Sequence, residues 1–124
     1  FMVNRTVMKR TFDAIVARNG IGSFVSWSMG KGAMTAARLG ERDIAVDILC
    51  NEGSQSRFSR SGYVPRPKEL NSGTDPGYLP VNSSMLSAVA LMAAGWDGAP
   101  AGHAPGFPKN GQWQVRVENM NKLP

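Results

Sequence analysis

The chain has 124 residues, 42% of them hydrophobic and 19% charged, with 14 Gly, 8 Pro and a formal net charge of +5. That length suits one ordinary domain, and no stretch reaches the ~20 consecutive apolar residues that cross a bilayer. The 14 Lys and Arg run from Arg5 to Lys122 without forming a block, so the charge does not mark the basic patch that nucleic-acid binding needs. The N-terminal stretch lacks a continuous apolar core and a small-residue cleavage site, so no signal peptide is expected.

In chain order, Met8, Phe12, Ile15 and Val16 recur at helical spacing and predict a helix over Arg5 to Arg18, stopped by Asn19 and Gly20. A second helix is predicted from Ser26 to Leu39, ending at Gly40. Its small residues Gly30, Gly32, Ala33, Ala36 and Ala37 lower intrinsic helicity but admit a close neighbour. The third, Glu41 to Asn51, follows so soon that the two should form an antiparallel hairpin. Asp43, Asp47 and Asn51 make its narrow polar stripe, and the rest of its circumference reads as buried. Cys50, a lone cysteine with no internal disulfide partner, reads as a small buried hydrophobe.

Gly, Ser, Pro and Arg suppress any period in the long loop over 53–82, whose length suits a functional segment. Phe58, Tyr63 and Tyr78 suggest that it packs. A fourth helix is predicted from a cap at Asn82 or Ser83 to a stop at Gly95. Met85, Leu86, Val89, Leu91 and Met92, with alanines between them, leave it apolar on every side, and such a helix must be surrounded. Residues 99–124 then read as a Pro/Gly-rich connection and a terminal strand, because Trp113, Val115 and Val117 alternate with polar neighbours in QWQVRVE. A lone strand is unstable, so its partners are expected in a β domain. The division is therefore a helical segment over 1–98 and this tail.

Most chemical signatures fall away. Gly30-Lys31-Gly32 lacks the spacing and hydroxyl of a phosphate loop. His103 is the single histidine, in a Gly/Pro loop without Cys or His companions, so no metal site or cofactor is predicted. No nucleophile elbow presents a serine to it. The loop bases Arg57, Arg60, Arg66 and Lys68 read as solvated charges; a nucleic-acid role would instead show steep salt dependence. Carboxylates remain, and glycoside hydrolysis uses two. Glu52, Glu69, Asp75 and Asp97 lie in or beside loops, and Asp75 has Tyr78 nearby as an aromatic that would stack on a sugar ring or anchor the loop.

The order of a tryptophan near a helix start (SFVSWSMGKGAMTAARLGERDIAVDIL), a long loop, a D-P-x-Y segment, a small-residue apolar helix and the tail APGFPKNGQWQVRVEN resembles the end of the (α/α)6 toroid in six-hairpin glycosidases, with the inverting α-L-fucosidase family as nearest kin. The resemblance spans Ser23 to Glu118. It implies a mainly α fold, an incomplete toroid of helical hairpins leading into a β domain. It further implies a wall of a sugar-binding funnel, with Asp75 at an acidic loop position, Trp27 in the toroid wall and Asn82 just before the last inner helix. Where the fucosidase pattern has Asp-Gly-Asn, this chain reads Val81-Asn82-Ser83-Ser84. An amide positions water but does not accept its proton. The general acid would come from an earlier helix pair, so this chain alone should be inactive. The expected partners are carbohydrate and either the remainder of the toroid or a second copy, with no membrane role. The alternative is a non-catalytic helical module that forms a protein interface.

Overall fold

The computed structural model describes residues 3–51, 58–62 and 79–124. The described part is mainly helical: α1 (Arg5–Asn19), α2 (Ser28–Leu39), α3 (Arg42–Leu49) and α4 (Leu79–Ala94), with a short 3-10 turn at Ile21–Ser23. Asn4 starts α1 by accepting the Thr6 and Val7 N–H groups on its side-chain oxygen. Helix α2 stops at Gly40, whose φ of 94° is the left-handed conformation a helix C-terminus favours. The Glu41 N–H then reaches back to the Ala36 carbonyl, and α3 begins one residue later.

Directions follow from these ties. Helix α2 turns tightly into α3, and Gly22, ahead of α2, lies beside Asn51, just past α3, so the two are antiparallel. Arg5, at the start of α1, donates to the Arg38 and Leu39 carbonyls at the end of α2, so α1 also runs against α2. Helix α4 runs with α2. Its Ser84 hydroxyl donates to the Trp27 carbonyl ahead of α2. At the far ends Arg38 donates to the Pro124 carbonyl, while Leu123 exchanges two backbone hydrogen bonds with Gly95 and Asp97 just past α4.

Two parallel helices meet closely only if one supplies small residues. Gly30, Gly32, Ala33, Ala36 and Ala37 are all buried in α2, and a Cβ added to Gly30 would collide with the Ser84 carbonyl and hydroxyl. The core between them holds Met29, Ile48, Val81, Ala88, Leu91 and Met92. Ala104 and Phe107 of the C-terminal segment belong to the same core. Gly106 seats against Met92, where a Cβ would stand 2.5 Å from the Met92 Cα.

Four expectations change. Helix α4 begins at Leu79 rather than after Asn82 or Ser83; Pro80 suits a first turn, where its missing N–H has no helical partner to lose. Asn82 is thus a first-turn residue rather than the residue before the helix. Residues 113–118 form no strand: they find no ladder among the described residues, where the one β-bridge pairs Trp96 with Leu123. Of the three alternating apolar residues, Val115 and Val117 pack on the core while Trp113 is exposed, as are Gln114, Arg116 and Glu118. Cys50 is exposed rather than buried. Helix α1 buries Phe12 alone, and Met8 and Ile15 remain exposed. Helix α4 keeps an uncovered side among the described residues: Leu79 is 65% exposed, Leu86 69% and Val89 37%.

Candidate functional site

The parallel course of α2 and α4 brings their N-termini to one end of the molecule. Each helix carries partial positive charge there, and two parallel helices add their fields, although the Ser28 and Met29 N–H groups at the start of α2 already donate to the Val25 and Ser26 carbonyls. The end therefore favours carboxylates and polar oxygens.

Trp27 stands immediately before α2, with 55% of its surface exposed. Its backbone is fixed on both sides. The Ser28 hydroxyl donates to the Val25 carbonyl at 2.6 Å, and the Ser84 hydroxyl donates to the Trp27 carbonyl at 2.6 Å. One helical turn on, the Lys31 ammonium sits 4.8 Å from the centroid of the indole ring, within cation–π range. The indole is thus an exposed but oriented platform.

Asn82 lies in the first turn of α4, two residues from the serine that holds Trp27. Its amide NH2 donates to the Gly62 carbonyl at 2.8 Å, which ties the start of α4 to the preceding loop. With the nitrogen so assigned, the side-chain oxygen is left as an acceptor. The structure thus brings Trp27 and Asn82 to the same end, through Ser84. Asp75 and Tyr78, and with them Glu52 and Glu69, lie outside the described residues.

Asp97 lies at the opposite end, where its N–H donates to Leu123, so it does not share the Trp27 site. His103 is at that far end too, exposed as a loop histidine should be, with its Nε2 bonded to the Val115 carbonyl. No group of three His, Cys, Asp or Glu side chains among the described residues is placed to hold a metal ion. No described helix is long and apolar enough to cross a membrane. Gly30 and Gly32 face Ser84 and the Phe24 ring inside a helix, which is a packing role and not a phosphate loop.

Sequence reasoning missed two members of this end. Lys31 was legible in principle, since a residue four positions after Trp27 shares its helix face. Ser84 was not, because its bond to Trp27 spans 57 residues. No known protein family, curated protein or solved structure matches the chain.

Proposed function

We propose that this chain is a segment of a carbohydrate-active, glycoside hydrolase-like helical toroid, and that the N-terminal ends of α2 and α4 form one wall of its sugar-binding funnel. The observation that carries the reading is the parallel pairing of two small-residue helices that gathers Trp27 and Asn82 at one end. Helices α1 and α3 run the other way, the alternation expected of successive helical hairpins. The uncovered side of α4 gives further support, because an apolar helix face needs neighbours.

In this role the Trp27 indole stacks on a sugar ring, and Lys31 holds its orientation. The Asn82 side-chain oxygen accepts from a sugar hydroxyl. Asp75, the acidic loop position of the resemblance, supplies a carboxylate for activation of water. The second carboxyl group that glycoside hydrolysis requires comes from another part of the toroid. This segment by itself binds and does not cleave.

The test is a panel of aryl glycosides, α-L-fucoside included, offered to the intact protein and to its Trp27→Ala and Asp75→Asn variants. Trp27→Ala should weaken binding, whereas Asp75→Asn should abolish turnover with binding retained. A protein that neither binds nor cleaves any glycoside, or whose Trp27→Ala variant behaves as wild type, defeats the reading. Exposure of Leu79, Leu86 and Val89 also favours the alternative, a helical interaction module. That reading predicts that Leu86→Asp disrupts assembly while no glycoside binds.

A further inference from the structure

The end of the molecule remote from Trp27 carries an aromatic cleft. There the chain leaves α4 and folds back, and His103, Phe107, Lys109, Trp113 and Val115 line a cleft of about 240 Å³. That is below the ~300 Å³ at which pockets for drug-sized ligands begin, and leaves room for one small ring.

The cleft is built on fixed backbone. The Gly106 N–H donates to the Met92 carbonyl at 2.9 Å, and the Arg42 guanidinium donates to the Pro105 carbonyl at 2.8 Å. The Lys109 ammonium bridges the carbonyls of His103 and Ala104, which uses two of its three N–H groups. His103 meets the Val115 carbonyl through Nε2. A carbonyl only accepts, so Nε2 carries the hydrogen, and in the neutral ring Nδ1 is left as an acceptor. Trp113 leans on Phe107 at 5.9 Å between centroids and 46° between planes, and keeps 40% of its surface exposed.

We propose that this cleft binds a single pyranose ring, stacked on Trp113, with hydroxyl groups donating to His103 Nδ1 and accepting from Lys109. A ring face beside one donor and one acceptor matches the amphipathic faces of a sugar. The grooves between α1 and α2, which include Met8, Phe12, Ile15 and Phe24, lack that pairing of imidazole and ammonium. No carboxylate lines the cleft, so the site holds sugar without hydrolysing it. The choice of ligand class rests on the carbohydrate reading above, while the site is separate from the Trp27 end.

The test is titration of the intact protein with the methyl glycosides of glucose, galactose, mannose and fucose, following the indole N–H resonances of Trp27 and Trp113 separately. A saturable shift at Trp113 is expected, persisting in Trp27→Ala; in the Trp113 variants the Lys109 backbone amide is the reporter, and affinity in Trp113→Ala should fall roughly tenfold or more through loss of the stacking platform. Trp113→Phe keeps a ring against Phe107 and guards against misfolding; it should bind with intermediate affinity. Binding lost in Trp27→Ala but unchanged in both Trp113 variants overturns this cleft and leaves the funnel standing. Binding at Trp113 with none at Trp27 supports the cleft and defeats the funnel. No saturable shift at either indole overturns both.

Discussion

Gly30→Ala probes the contact on which the arrangement of α2 and α4 depends. Within a helix the replacement should gain about 1 kcal/mol, because alanine is the better helix former. At this site the new methyl collides with the backbone carbonyl and the hydroxyl of Ser84, and a carbonyl inside a helix does not rotate away. Overpacking of this kind costs about 1–3 kcal/mol. Displacing the Ser84 hydroxyl from the Trp27 carbonyl removes a hydrogen bond worth about 1 kcal/mol. The net is a destabilisation of about 1–3 kcal/mol. Gly32→Ala is the internal comparison: it has the same helix gain, but its methyl meets the half-buried Phe24 ring first, with a closest approach of 2.5 Å, and a side chain, unlike a helix carbonyl, can be displaced at some loss of its stacking on Phe12. Its effect should stay within about 1 kcal/mol of zero. Urea unfolding of wild type and both variants, read by far-ultraviolet circular dichroism, gives the difference. If Gly30→Ala is neutral or stabilising while Gly32→Ala is the costly one, the close approach of α2 to α4 is wrong.

Phe12→Ala removes the one buried residue of α1, which stacks on Phe24 at 5.9 Å. A loss of about 3 kcal/mol is expected, appearing chiefly as faster hydrogen exchange over residues 5–19; uniform acceleration across α2 and α4 would contradict it. Cys50 has its thiol pKa raised, first by partial burial and second by the Asp47 carboxylate. The folded chain thus holds the proton more tightly than the unfolded one, so this thiol's contribution to stability is present below the unfolded pKa and is lost as pH rises through the folded value. Alkylation by iodoacetamide should reach half-maximal rate at higher pH in the folded chain than in urea, and an equal or lower midpoint refutes the assignment. Leu86→Asp should change the stability of the isolated chain by no more than about 0.5 kcal/mol, since the side chain is exposed there, yet destabilise an assembled toroid that covers it. Equal effects in both settings would mean that nothing covers α4.

Local signals in the sequence were readable wherever local chemistry decides the outcome. Asn19-Gly20, Gly40 and Gly95 end helices as their types predict, and the small residues of α2 turn inward as a close-packed face should. The start of α4 was misjudged because Asn82 and Ser83 are good caps, but Pro80 fits a first turn equally well and the helix extends through it. The alternation in residues 113–118 predicts the inward packing of Val115 and Val117 but not the exposure of Trp113, and a strand needs hydrogen-bonding partners that alternation does not supply. Cys50 was assigned by residue type, whereas its place after the last turn of α3 leaves it at the surface. For the site, Trp27 and Asn82 were singled out separately, but their common end depends on α2 and α4 running parallel. That is a long-range relation, fixed by contacts such as Ser84 to Trp27, which no local pattern encodes. Asp75 and Tyr78 remain expectations of the sequence.

In an experimental structure of the intact protein with a bound glycoside, the proposed funnel predicts a sugar ring against the Trp27 indole within hydrogen-bonding distance of Asn82, and helices packed over Leu86 and Val89. Leu86 and Val89 facing solvent in the intact protein, with no sugar at the N-terminal ends of α2 and α4, would contradict it.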